Sequence, residues 1–188
     1  MRADARRNRD KLVAVAREEL IARGGGFVMD TVAARAGVGA GTLYRHFPTR
    51  DALVEAVYAA ELEDLARAAR ALLDDLTPDA ALREWLTRYT RFTATKRGMI
   101  DTLRAWTAEG RAPMSTTRER ITAALAPLLE AGAADGSLRP DVRPDDVTLL
   151  LHGVFVATAT STDAEQGARL LDLVMDALRA AGATAPTG

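Results

Sequence analysis

An all-α fold of about nine helices is predicted for this 188-residue sequence. Three observations predict it. Apolar residues recur at helical spacing along most of the chain. Several of these runs open on helix-start signals such as Thr77-Pro78-Asp79 and Pro144-Asp145-Asp146. Others close on glycine, as at Gly24-Gly25-Gly26, Gly37 and Gly110.

Helix one is expected over Arg7 to Arg23, where Leu12, Val13, Ala16 and Leu20 form a stripe ended by the three glycines. From Asp30 two short helices follow, joined by a turn. The first stops at Gly37, which can take the left-handed conformation that ends a helix. Val32, Ala33, Val38, Leu43 and Phe47 supply a small core, and Ala33 and Ala36 are small enough for steeply crossed packing. On the other face stand Thr42, Tyr44, Arg45 and His46. Their hydroxyl, phenol, guanidinium and imidazole groups suit phosphate oxygens and base edges, so the segment reads as a helix-turn-helix that binds DNA.

Helix four is announced by Phe47-Pro48-Thr49, with Thr49 as cap and Asp51 near the positive end. Leu53, Val54, Val57, Tyr58, Leu62, Leu65, Leu72 and Leu73 keep its period for about seven turns. A helix this long leaving the motif is a natural lever for a signal. Helix five carries Leu82, Trp85, Leu86, Tyr89, Phe92 and Thr93 on one face. A shorter sixth helix after Gly98 holds Met99, Ile100, Leu103 and Trp106. Helix seven is expected over Met114 to Ala131, with Ile121, Leu125, Leu128 and Leu129 inward and Pro127 bending it.

A loop from Gly132 to Arg143 precedes helix eight, which is apolar nearly all round through Val147, Leu149, Leu150, Leu151, Val154, Phe155 and Val156. Such a helix must be covered on both sides. Thr162-Asp163-Ala164-Glu165 forms a capping-box pattern for helix nine, whose stripe is Leu170, Leu171, Val174, Met175 and Leu178. Two such terminal helices suggest a four-helix interface between two copies, with Leu150, Val154, Leu170, Leu171, Val174 and Leu178 as its expected residues.

Charge is divided by position. Residues 1–50 hold ten Arg or Lys against five Asp or Glu, whereas residues 51–188 hold fifteen against twenty-one. The cationic half therefore coincides with the motif, as attraction to polyphosphate requires. Arg2, Arg6, Arg7 and Arg9 read either as a solvated tail or as a basic arm. Of the 25 cations only Lys11 and Lys96 are lysine, a bias attributed to a GC-rich genome rather than to chemistry.

Cysteine is absent, so neither a disulfide scaffold nor a thiolate metal site is expected. No window is apolar enough to cross a bilayer and the N-terminus lacks a signal-peptide stretch, so a soluble, cytoplasmic protein without membrane contact is expected. His46 and His152 are far apart and sit in no nucleophile, phosphate-cradle or metal motif. The expectation is no enzyme, no cofactor and no metal, with His152 a hydrogen-bonded core residue ahead of an effector contact.

The run Ala34-Arg-Ala-Gly-Val-Gly-Ala-Gly-Thr-Leu-Tyr-Arg-His-Phe-Pro-Thr-Arg-Asp-Ala-Leu53 resembles the signature of the TetR family of bacterial transcriptional regulators, and the likeness extends over roughly residues 7 to 58. The resemblance implies a helix-turn-helix domain over residues 1–50 and a larger helical effector-binding and dimerisation domain over residues 51–188. It implies a homodimeric repressor released from a pseudo-palindromic operator in double-stranded DNA by a small molecule. Position by position, it assigns DNA contact to Ala40, Gly41, Thr42, Tyr44, Arg45, His46 and Arg50. Gly39 and Val28 depart from it, standing where the family often has a capping Ser or Thr.

Helices five to seven resemble the region where that family encloses an effector. Trp85, Tyr89, Phe92, Met99, Leu103, Trp106 and Leu125, with His152 and Phe155 from helix eight, are the candidate lining, suited to an apolar or aromatic molecule. The same residues read equally well as core. The rival function is a helical small-molecule-binding or partner-adaptor protein that binds no operator.

Overall fold

A computed structural model describes residues 2–23, 26–110, 114–158, 161, 163 and 165–180. Among these residues there are nine helices and no strand beyond one isolated bridge. They are α1 (Arg2–Arg23), α2 (Met29–Ala36), α3 (Ala40–His46), α4 (Arg50–Asp75), α5 (Pro78–Gly98), α6 (Ile100–Ala108), α7 (Met114–Asp135), α8 (Pro144–Ala157) and α9 (Gln166–Leu178). The all-α expectation is met. None of these helices is long and apolar enough to cross a membrane.

Three boundaries differ from the sequence reading. The first helix begins at Arg2, not Arg7, because Asp4 lies in its first turn and pairs with Arg7 one turn on. The basic segment is therefore helical. Second, α7 continues past Ala131 to Asp135. Gly132 sits inside it where any Cβ would stand 2.3 Å from Leu138 Cδ1, so this glycine makes room for a buried leucine rather than breaking the helix. Third, α9 begins at Gln166 with no side-chain cap, although Asp163 Oδ1 accepts the Glu165 N–H at 3.0 Å. Thr162 and Ala164 of the expected capping box lie outside the described residues.

The chain forms two compact units, Met1–Leu62 with Phe92–Ala112, and Glu63–Arg91 with Pro113–Gly188. The first takes in the beginning of α4, the end of α5 and α6. Its members are closely bound. Glu61, only 7% exposed, receives Arg17 Nε at 2.8 Å and the Thr95 hydroxyl at 3.2 Å, joining α4 to α1 and α5. Tyr58 and Phe92 meet with ring centroids 5.9 Å apart.

In the second unit, Trp85 is fully buried and its indole N–H donates to the Leu65 carbonyl at 3.0 Å. Helix α7 packs on α8, and α8 on α9. The Thr122 and Thr148 hydroxyls are 2.9 Å apart across the first of these contacts. After α7, Leu138 pairs with Arg179 in the isolated bridge, where Arg139 N–H donates to the Leu178 carbonyl at 2.9 Å and Ala180 N–H to the Ser137 carbonyl at 3.2 Å.

Candidate nucleic-acid interface

Helix α2 ends as its sequence requires. Gly37 adopts φ 67° and ψ 33°, and two bonds close the end: Gly37 N–H to the Ala34 carbonyl at 3.2 Å and Val38 N–H to the Ala33 carbonyl at 3.0 Å. This pattern satisfies two carbonyls that the helix leaves open and turns the chain at once. Gly39 then starts α3 from extended backbone, accepting the Thr42 and Leu43 amides at 2.9 and 3.1 Å. Neither Val28 nor Gly39 provides a side-chain cap, in agreement with the sequence reading.

Leu43 is the anchor of α3, fully buried, with Phe47 buried one turn on. Burying that side fixes the opposite one. Tyr44 is 46% exposed, Arg45, Ala40 and Gly41 are exposed, and Thr42 and His46 are half-buried. Six of the seven expected DNA contacts are thereby brought together on one short helix. The seventh, Arg50, begins α4, where Thr49 caps the helix by accepting the Ala52 amide at 3.1 Å. Its guanidinium lies 4.8 Å over the Phe27 ring and donates to the Thr102 hydroxyl of α6 at 3.4 Å.

Sequence reasoning missed several supports of this face. Arg9 of α1 lies 5.4 Å over the Phe47 ring. Glu19, 3% exposed, binds Arg23 at 2.9 Å and Arg35 of α2, while Glu18 holds Arg35 at 2.7 Å. The hydrogen bond to Glu19, followed by the attraction of both carboxylates, raises the Arg35 pKa above its ordinary value. Apart from Glu19 with Arg23, four residues on in α1, these contacts join residues far apart in sequence, and no spacing rule announces them.

The expected effector residues are mostly interior. Trp85 and Tyr89 stack with centroids 5.8 Å apart in one unit, where Leu125 and Phe155 are also buried. Phe92, Met99, Leu103 and Trp106 are buried in the other. Trp85 does not offer its indole as a free donor, because Leu65 accepts it. His152 is exposed and not a core histidine, since α8 buries Val147, Thr148, Leu151 and Phe155 and residue 152 falls off that face. Among the described residues of the second unit, a cleft of about 680 Å3 lies beside Arg118, Thr122 and Arg143 and another of about 280 Å3 beside Arg83, Thr90 and Leu171. Neither is lined by any of the nine expected residues.

The expected dimer residues divide. Leu171, Val174 and Leu178 are buried within the chain's own core. Their register follows from the helical period, which carries the inward stripe of α9 through these positions and Met175. Leu150 is exposed, and Val154 and Leu170 are half-buried. The large apolar side chains these two helices leave outside are Leu149, Leu150, Val156 and Leu173.

Comparisons with known proteins agree with the geometry of α2 and α3. The family model for bacterial regulatory proteins of the tetR family matches residues 12–57, and that for the SbtR-like transcriptional regulator C-terminal domain matches residues 77–180. A TetR transcriptional regulator from Streptomyces coelicolor is 41% identical, with 93% of this chain and 99% of that one covered and a TM-score of 0.81. A TetR regulatory protein from Mycobacterium vanbaalenii is 35% identical, with 95% and 98% covered and a TM-score of 0.73. Comparison with curated proteins finds no match. The first family match spans α2, the left-handed stop at Gly37 and α3 with its buried Leu43, and the chain belongs to the TetR family of DNA-binding bacterial transcriptional regulators.

Proposed function

We propose that this protein is a homodimeric repressor in the cytoplasm that binds a pseudo-palindromic operator through α3 and releases it when a small molecule binds. The observation that carries the DNA-binding reading is the polarity of α3. Its one buried side chain is Leu43, and the exposed Tyr44 and Arg45 with half-buried Thr42 and His46 are left for phosphate and base edges. Tyr44 and Thr42 serve as phosphate or base-edge contacts, His46 contacts phosphate, and Arg45 reads bases. Ala40 and Gly41 have almost no hydrogen-bonding reach, so DNA shape carries part of the specificity.

One such helix covers only a few base pairs, whereas two held about 34–36 Å apart read successive major grooves. Apolar Leu149, Leu150, Val156 and Leu173 support α8 and α9 as the surface that joins two copies. For the effector, the buried aromatic residues of α5 and α6 favour an apolar or aromatic molecule. Its binding lowers operator affinity by altering the separation of the two recognition helices.

The test is a fluorescence-anisotropy titration with the DNA upstream of the protein's own gene, at several salt concentrations. Affinity is expected to fall steeply with salt, as neutralised phosphates demand. Failure to bind at low salt would favour the adaptor reading. Repeating the titration with a broad set of apolar and aromatic molecules tests release, and identical affinities across the set would refute it.

A further inference from the structure

We propose that Arg6 and Arg9 of α1 form a phosphate-binding strip outside the helix-turn-helix, one that grips the DNA backbone without reading its sequence; this rests on the operator-binding reading above. The positive charge of the first fifty residues is much less available than their composition suggests. Of its ten cations, five are already engaged: Arg7 with Asp4, Arg17 with Glu61, Arg23 and Arg35 with Glu19, and Arg50 with Asp51 and Thr102. Among the described side chains this leaves Arg6, Arg9, Lys11 and Arg45, all exposed and without a carboxylate partner. Arg45 belongs to α3. The other three stand on the first turns of α1, where Asp10 pairs with none of them.

Geometry selects two of the three. The Arg9 guanidinium lies 5.4 Å over the ring of Phe47, the buried residue that closes α3, so this cation sits beside the end of the recognition helix. Arg6 precedes Arg9 by three residues and shares its face, one turn nearer the start of α1. Lys11, two residues on, points about 200° round the helix and falls outside the strip. Stacking on a ring uses the face of a guanidinium and none of its five N–H donors. Arg9 is therefore held in place with its donors open, and loses less freedom on meeting a phosphate than an unheld arginine would. A phosphate oxygen carries no base identity, so the strip adds affinity and salt dependence but no sequence preference.

The experiment is a salt titration of DNA affinity by fluorescence anisotropy with the full chain, using the DNA upstream of its own gene and an unrelated duplex of equal length. Each of Arg6→Gln and Arg9→Gln is expected to lower the slope of log affinity against log salt by about 0.9 per bound chain. Between about 50 and 200 mM salt that removes about 3.5-fold of the affinity loss for one arginine and about twelvefold for both. The ratio of affinities for the two duplexes is expected to stay the same. Arg143→Gln, which removes an exposed and unpaired cation in the other unit, controls for net charge and is expected to leave the slope unchanged. Both arginines are exposed, so thermal unfolding of the variants should match that of the unmodified protein. An unchanged slope, an equal fall from Arg143→Gln, or a changed ratio between the duplexes would overturn the proposal while leaving the operator reading intact. Failure of the unmodified protein to bind either duplex at low salt would overturn both.

Discussion

Gly98 at the end of α5 lies against the main chain of Leu20 in α1, so closely that a Cβ at residue 98 would stand 2.3 Å from the Leu20 carbonyl oxygen. Main chain cannot swing aside as the end of a flexible side chain can. Gly98→Ala should therefore destabilise the fold by roughly 1–3 kcal/mol, as overpacking does. Gly153 on α8 has nothing within 4 Å of its Cβ position, and Gly153→Ala should instead stabilise by about 0.5–1 kcal/mol. Urea unfolding of both variants checks the contrast, which an equal loss at the two sites would contradict.

Lys96 is buried near the end of α5, and burial pushes its ammonium below the ordinary lysine value of 10.5. Between the lowered value and 10.5 the unfolded chain holds the proton more tightly than the folded one, so folding is favoured as pH rises through that window. Lys96→Met should be more stable than the unmodified protein near neutral pH, with the gap narrowing toward about pH 10. Urea midpoints at both pH values provide the measurement. A gap independent of pH would show that Lys96 does not titrate in this way.

Leu173 is 65% exposed on α9, two residues from buried Leu171. Leu173→Glu should leave monomer stability within about 0.5 kcal/mol of the original while shifting a dimer toward monomer. Leu171→Glu should instead unfold the chain, because it places an unpaired carboxylate in the core. Sedimentation velocity together with thermal denaturation separates the two effects. A Leu173→Glu protein that still sediments as a dimer would remove this face from the interface.

Tyr44 and Arg45 adjoin on α3 and are both exposed. Tyr44→Ala should weaken binding to all operator sequences alike, by about 1 kcal/mol for one lost hydrogen bond. Arg45→Ala should cost about 1–3 kcal/mol on the preferred operator and less on variants altered at the base it reads. A uniform loss across sequences from Arg45→Ala would reassign it to phosphate.

The reading head was legible because its rules are local. Gly37 predicts a left-handed stop, Leu43 and Phe47 a buried edge, and Thr49 a cap, each within one or two turns of chain, and each is found. The stripe of α9 was equally legible, but its use was not. Leu171 and Val174 are read correctly as one apolar face, yet periodicity alone cannot say whether a face meets its own chain or another copy. His152 was misjudged for a related reason: an all-round apolar helix gives no phase, and α8 takes its phase from α7 and α9. Contacts such as Arg50 with Thr102 require the third dimension outright.

The ion cluster around Glu19 bears on how any DNA titration is to be interpreted. Arg35 reaches from α2 to a carboxylate that is 3% exposed, with Arg23 completing the group from α1. With the carboxylate sheltered and Arg35 and Arg23 at 44% and 59% exposure, salt screens these pairs less than it screens fully open ones. Raising the ionic strength should therefore strip the polyphosphate from the head before it loosens the head itself. The slope of affinity against salt then counts phosphates, uncontaminated by melting of the helices that hold them.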